Sequence, residues 1–243
     1  MHLESVTIHP ETFPVKDQYP FQLAIFDRTR RLAFTRPVTF FVGENGAGKS
    51  TLLKAIARRC GVNIWQETER RRFKYNPYEE EFHRYVSINW VDDHVQGSFF
   101  GSEFFTYFTQ ILDEWASADP GQLEYFGGRS LTTLSHGQSL MAYFRSRYRI
   151  KGLYFLDEPE TALSPRTQLE LLRFLEQMSA DGHAQFIIAS HSPLLLACAG
   201  AMIYSFDETP IKEVPYEETT HYRIYRRFLE DRHKCLEEVT ERE

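Results

Sequence analysis

The stretch PVTFFVGENGAGKSTLLKAIA, residues 37–57, decides the fold of this chain. It begins with VTFFV, a β-branched and aromatic run that is typical of a buried strand. A glycine-rich segment follows, and then an apolar pattern at helical spacing formed by Leu52, Leu53, Ile56 and Ala57. The sequence therefore predicts a strand, a tight loop and a helix in direct succession.

The loop matches the pattern G-x-x-x-x-G-K-[ST] in full and has the flanking strand and helix that this pattern requires. Glycines let the backbone turn its N–H groups toward phosphate oxygens, and the helix directs its positive N-terminal end at the same anion. A glycine-rich turn with a chance lysine would not need this context. We therefore expect nucleotide binding by Gly43, Glu44, Asn45, Gly46, Ala47, Gly48, Lys49, Ser50 and Thr51, with Lys49 on the β- and γ-phosphates and Ser50 on Mg²⁺.

A second apolar run, LYFLD, ends at two carboxylates, Asp157 and Glu158. In open α/β sheets, ligands bind at the carboxyl ends of strands. We expect Asp157 to hold the Mg²⁺ and Glu158 to orient and activate the attacking water. The alternative is a solvated acidic turn, and the presence of Lys49 argues against it.

Apolar runs typical of buried strands alternate with helical patterns from residue 131 onward. This order predicts an α/β fold with a mostly parallel sheet flanked by helices. Between residues 63 and 128 the chain is instead rich in charges and aromatics, with no sustained period. We expect residues 1–62 and 129–243 to form a nucleotide-binding core, and residues 63–128 to form an inserted helical lid.

Composition narrows the class of protein further. A net charge of −6 over 243 residues does not suit a general polyanion binder. The 3 cysteines are isolated, which favours reduced thiols in a cytoplasmic protein. The N-terminus has no basic region followed by an apolar run, and the apolar runs are too short to cross a bilayer, so we expect no membrane insertion.

Five motifs in order resemble those of the ABC-type ATPases: GENGAGKST, LSHGQS (134–139), LYFLDEP, ETALSP and FIIASHSP, the last containing His191. The resemblance covers about residues 32–61 and 128–207. Over nearly the whole chain, the sequence is also similar to small soluble predicted ATPases of the AAA/ABC, SMC/RecF-like group. The resemblance to the ABC-type ATPases implies a P-loop NTPase fold of the ABC-ATPase type, with Mg²⁺ and ATP as cofactors and a homodimer in the ATP state.

The same resemblance implies the roles of further residues. Ser135, Gly137 and Gln138 would contact the γ-phosphate from the opposite protomer, and His191 would sense that phosphate. Glu158, His191 and Lys49 would form the catalytic set. A capped helix start remains the alternative for LSHGQS, in which His136 replaces the usual glycine.

Two assignments stay open. The position of the family's Q-loop, a further Mg²⁺ contact, is filled by Glu103 or by Gln96. Phe13 or Tyr19 would stack on the adenine or would serve as ordinary packing. The tail VPYEETTHYRIYRRFL is interpreted as a packing helix with exposed arginines.

The sequence leaves open what ATP drives. We expect a dimeric switch acting on DNA or on an effector protein, in genome maintenance or defence. The basic runs at 70–74 and 145–151 would contact DNA phosphates or would form a solvated face. The alternatives are the nucleotide-binding subunit of a membrane transporter and an ATP-gated assembly module that does not hydrolyse ATP.

Overall fold

The computed structural model describes residues 1–64, 76, 78, 80–119, 121, 123–124, 130–180 and 182–240. Strands and α-helices alternate along these residues. In chain order they are β1 (Leu3–Ile8), α1 (Ala24–Arg28), β2 (Arg31–Ala33), β3 (Val38–Val42), α2 (Lys49–Arg59), β4 (Val86–Trp90), β5 (Gly97–Gly101), α3 (Ser102–Ala118), α4 (His136–Arg147), β6 (Gly152–Asp157), α5 (Pro165–Ala180), β7 (Ala184–Ala189), α6 (Pro193–Leu196), β8 (Met202–Ser205), β9 (Lys212–Glu213), α7 (Thr220–Glu230) and α8 (Arg232–Thr240).

The central sheet has the strand order β5-β6-β7-β3-β8-β9. All pairs in it are parallel except β8 with β9, so the predicted mostly parallel sheet is confirmed. The register places Gly101 beside Asp157 and Asp157 beside Ala189. The carboxyl ends of five strands therefore share one edge, and this edge carries the motifs.

The strands are buried on both faces, which is why they read as continuous apolar runs. Phe41, Phe155 and Ile187 point to a core formed with α2, whereas Phe40 and Leu156 point to a second core formed with α3, α4, α5 and α6. Successive residues of a strand face opposite sides, so each run supplies both cores. The flanking helices predicted for both faces are confirmed.

A separate antiparallel sheet, β2-β1-β4, packs on the α2 side. Its connection to the central sheet includes the fully buried Gln185, whose Oε1 accepts from the backbone N–H groups of His2 and Leu3 at 2.7 and 2.8 Å. The Gln185 Nε2 donates to the carbonyl of Leu3 at 3.0 Å. The chain pattern did not predict this sheet as a unit because its strands come from distant segments.

Within residues 63–128, two strands are hydrogen-bonded to strands of the predicted core. β4 pairs with β1, and β5 forms the edge of the central sheet beside β6. Helix α3 follows β5 directly. The lid boundaries at residues 63 and 128 stay a prediction. They must be compatible with the pairing of β4 with β1 and of β5 with β6. None of the helices that the structure describes has the length and apolar composition to span a bilayer.

Candidate nucleotide-binding site

Neighbouring parallel strands deliver the polar residues of the site to one edge of the central sheet. β3 runs into the phosphate loop (residues 43–50), and β6 ends at Asp157. β7 is followed by Ser190 and His191, and β8 by Asp207 within two residues. Because the strands are in register, these segments meet although they are far apart in sequence.

The phosphate loop wraps around the ammonium group of Lys49. Its Nζ donates to the carbonyl oxygens of Gly43 and Glu44 at 2.7 and 2.9 Å, and the residue is 4% exposed. Burial lowers the pKa of Lys49, and the carboxylates of Glu158 and Asp157 oppose that shift. The predicted phosphate-contacting lysine thus lies at the start of α2, where the helix is most positive.

The oxygens at Ser50 and Asp157 fit a Mg²⁺ site. The Ser50 hydroxyl donates to Oδ1 of Asp157 at 2.6 Å, and Lys54 Nζ lies 3.5 Å from its Oδ2. A cavity of about 150 Å³ opens beside them, between the end of β5 and the end of β6. Burial raises the pKa of Asp157 more than Lys54 and the Ser50 hydrogen bond lower it. The negative charge of this buried carboxylate is therefore not fully compensated by its neighbours. A hard cation on these oxygens would supply the missing positive charge.

Glu158 has a left-handed backbone, with φ of +49°, and is the one non-glycine residue with positive φ in the described part of the chain. Its Oε1 lies 3.5 Å from Nε2 of His191, and its side chain is 40% exposed. A strained residue at the end of a strand is common in active sites. Burial, with a smaller contribution from Lys49, lowers the pKa of His191 to about 4, so this ring is neutral at pH 7.

Three residues that sequence reasoning missed hold the site together. The Glu160 carboxylate accepts from the hydroxyl of Ser190 and the backbone N–H of His191. Asp207 accepts from the backbone N–H of Glu44 at 2.9 Å. His221, on α7, has its Nε2 3.0 Å from Nδ1 of His191. Glu160 is the first residue of the motif ETALSP, which could have identified it, but no local pattern pairs Asp207 or His221 with the loop.

The residues predicted to act from the opposite protomer form the start of α4. The Ser135 hydroxyl accepts from the backbone N–H of Gln138, and the Gln138 side chain accepts from the backbone N–H of Ser135. Both residues are exposed, and Gly137 lies between them. The capped helix start is therefore present, and its exposed N-terminus suits an anion. Binding of γ-phosphate by this set stays a prediction.

The structure separates the two candidates for the Q-loop position. Gln96 precedes β5 at the amino end of the sheet, where its carbonyl accepts from Leu153, so this candidate is wrong. The error arose because sequence alone did not assign β5 to the central sheet. Glu103 belongs to the first turn of α3, directly after the carboxyl end of β5. The side chain of Glu103 lies outside what the structure describes, and its role stays a prediction.

The two aromatic candidates have different surroundings. Phe13 packs against Phe21, Phe82 and Tyr85, which favours ordinary packing. The hydroxyl of Tyr19 is hydrogen-bonded to Thr51 in the first turn of α2. Tyr19 therefore borders the phosphate loop.

One of the two basic runs lies far from the phosphate loop, and the other lies outside the described residues. The run at 70–74 lies outside the described residues. The run at 145–151 has exposed basic side chains and precedes β6, at the sheet edge opposite the phosphate loop. The tail arginines Arg223, Arg226 and Arg227 are exposed as predicted, and α7 packs only through its first turn, where His221 and Tyr222 are half-buried.

Known families and proteins resemble parts of this chain. A family model described as "AAA domain, putative AbiEii toxin, Type IV TA system" matches residues 132–197, and one described as "AAA domain" matches residues 22–89. The thiamine import ATP-binding protein ThiQ of Haemophilus influenzae is 29% identical over 162 residues, covering 63% of this chain and 74% of that protein. The hemin import ATP-binding protein HmuV of Rhodopseudomonas palustris is 32% identical over 164 residues. This chain spans only 58% of the length of that relative, and the match covers 58% of this chain.

Solved structures also align with the chain. The SMC head domain from Thermotoga maritima has a TM-score of 0.49 at 17% identity, covering 88% of this chain and 99% of that one. An inward-facing putative metal-chelate type ABC transporter has a TM-score of 0.48 at 19% identity, covering 77% of this chain and 75% of that one.

Proposed function

Because the chain belongs to the superfamily of ABC-type ATPases, whose members bind ATP, we propose that it is a Mg²⁺-dependent ATPase and an ATP-gated dimeric switch. Members of this family are ATPases. One observation carries the proposal: the Ser50 hydroxyl and the Asp157 carboxylate meet at 2.6 Å beside the buried Lys49. A triphosphate and its metal need this combination of one ammonium and adjacent oxygens.

Each residue then has a defined task in the reaction. The ammonium group of Lys49 exchanges its hydrogen bonds to the loop carbonyls for hydrogen bonds to the β- and γ-phosphate oxygens, whose negative charge compensates its positive charge. Ser50 and Asp157 would hold Mg²⁺, which neutralises charge on the phosphates when bound. Glu158 orients the attacking water, and its partial exposure leaves room for that water. His191 contacts the γ-phosphate. Because His191 follows β7 closely, loss of this phosphate changes the contacts at the carboxyl end of β7.

Closure of two protomers would complete the site. Ser135, Gly137 and Gln138 would bring the exposed start of α4 to the γ-phosphate of the other protomer. The positive end of a helix stabilises such an anion. Hydrolysis would remove the phosphate that joins the two surfaces, and the dimer would open. The switch would act on DNA or on an effector protein, and the name of the first family model, which includes a putative toxin, favours defence.

A second candidate function is the ATP-binding subunit of a membrane importer. The observation in its favour is that ThiQ and HmuV are import ATP-binding proteins. Such a subunit would hydrolyse ATP fully only with its membrane partner, and duplex DNA would leave the rate unchanged. An assembly module that binds ATP without hydrolysing it is the third candidate, and it predicts that Glu158 is dispensable.

The test is the ATPase rate of the wild type against Glu158→Gln, each with and without duplex DNA. Glu213→Gln, an exposed carboxylate on β9, is the matched control. We expect hydrolysis by the wild type and the control, a loss of about a hundredfold or more in Glu158→Gln, and stimulation by DNA. If the wild type and Glu158→Gln are equally inert, the proposed catalytic role is wrong.

The composite site has its own test. Lys49→Ala and Gly137→Arg should each be inactive, because one lacks the phosphate contact and the other blocks the start of α4. When the two variants are combined in equal amounts, half of the dimers contain one chain of each variant. In such a dimer, one of the two sites has both an intact Lys49 and an intact Gly137. The rate should then recover to about a quarter of the wild type, as two-fold symmetry requires. No recovery would mean that the start of α4 does not act in trans.

A further inference from the structure

We propose that His221 is a positioning residue that fixes the proton of His191 on its Nε2, toward Glu158 and the γ-phosphate. The proposal rests on the proposed function and adds a part that α7 plays in it. The Nε2 of His221 lies 3.0 Å from Nδ1 of His191, and the two ring centroids are 5.1 Å apart. This is the distance of a direct hydrogen bond between two imidazoles.

The start of α7 is tied to the phosphate loop as well as to His191. Thr219 caps the helix by accepting from the backbone N–H of Tyr222. The Thr220 hydroxyl donates to Oδ2 of Asp207 at 2.8 Å, and Oδ1 of the same carboxylate accepts from the backbone N–H of Glu44. His221 is therefore held by a helix that is anchored to the loop, although the rest of α7 is exposed.

Only one proton can lie between the two facing nitrogens. If His191 carried it on Nδ1, the bare lone pair on its Nε2 would face the Glu158 carboxylate at 3.5 Å. If His221 donates instead, His191 carries its proton on Nε2 and can donate to Glu158 or to a phosphate oxygen. Donation by His221 therefore holds His191 in the tautomer whose Nε2–H attracts the Glu158 carboxylate instead of repelling it.

The burial of these nitrogens provides a second observation. Nε2 of His191 and Nδ1 of His221 are both inaccessible to water and have no hydrogen-bond partner in the described part of the chain. A buried polar nitrogen without a partner costs free energy, and a shift of the His191 ring toward a phosphate oxygen at the mouth of the loop would relieve that cost. The unsatisfied donor thus points to the same ligand as the phosphate loop.

The surroundings keep both rings neutral, mainly through burial. Burial is the main cause that lowers the pKa of each histidine. Lys49 lowers both pKa values further, whereas Glu44 and Asp207 raise them. Two neutral rings form one donor and one acceptor, as the pair requires.

The experiment compares His221→Ala with His221→Gln, whose side-chain amide can donate from a position close to that of Nε2. Tyr225→Ala, on the same helix and 54% exposed, is the control. We expect His221→Ala to lower kcat about tenfold or more with KM for ATP unchanged, and His221→Gln to recover most of the loss. In a His191→Ala background, His221→Ala should have no further effect. If His221→Ala keeps the wild-type kcat, the proposal is overturned.

A direct readout separates this proposal from the proposed function. Nitrogen-15 NMR of labelled histidine side chains should find His191 protonated on Nε2 in the wild type and a mixture of tautomers in His221→Ala. This result in a protein without ATPase activity would sustain the positioning role and reject the proposed function. A His191 protonated on Nδ1 in the wild type would reject the positioning role.

Discussion

Replacing Gly48 with alanine tests the steric basis of the phosphate loop. Gly48 precedes α2 with φ of +100°, which side chains rarely adopt. A Cβ there would lie 2.7 Å from Cζ of Phe26. Phe26 cannot easily move, because it is fully buried and its ring centroid is 4.5 Å from that of Phe82.

The expected cost has two parts. An unfavourable backbone conformation costs about 1–3 kcal/mol, and forcing extra atoms into a packed core costs about 1–3 kcal/mol more. The sum of about 2–6 kcal/mol is a large fraction of the stability of a domain. At about 2–4 °C per kcal/mol for a chain of this size, Gly48→Ala should lower Tm by roughly 4–24 °C.

The matched control is Gly46→Ala. Gly46 also has positive φ, at +80°, but no atom lies within 4 Å of its Cβ position. It should therefore lose only the backbone part, about 1–3 kcal/mol. Calorimetry of the two variants with and without Mg²⁺-ATP measures both stability and nucleotide binding. Equal Tm values for Gly48→Ala and Gly46→Ala would refute the reasoning, since the contact with Phe26 would then cost nothing.

Two further predictions follow from the titratable groups of the site. Because burial favours the neutral form of Asp157, Asp157→Asn should raise Tm of the nucleotide-free protein by a few degrees, about 1 kcal/mol in stability. The same variant should lose the stabilisation that Mg²⁺-ATP gives the wild type, about 2.7 kcal/mol at a hundredfold excess over Kd. A lower Tm of Asp157→Asn without nucleotide in thermal-shift assays would contradict this. For pH, the unfolded chain protonates histidine below about 6.5, whereas folded His191 does so only near 4, so the protein loses stability as pH falls between these values. His191→Gln should lose less between pH 7 and 5 in urea denaturation, and an equal loss would be evidence against a depressed pKa.

Local sequence was sufficient to predict a feature wherever one continuous segment forms both the secondary structure and the functional residues. Strand β3, the phosphate loop and α2 follow one another without interruption within residues 38–59. The cap at Ser135 and the carboxylate at the end of β6 were equally local. Pairings between distant segments could not be predicted from local sequence, as the open choice between Glu103 and Gln96 and the unexpected β2-β1-β4 sheet illustrate.

By itself, the sequence determined a phosphate loop between a strand and a helix, the mostly parallel sheet, and the carboxylates at Asp157 and Glu158. It did so because backbone periodicity and glycine conformation act over a few residues. Only the tertiary structure decided that α7 returns to the site and brings His221 to His191. That contact depends on strand order and register, which place the ends of β7 and β8 on one edge, and no local pattern encodes such a meeting.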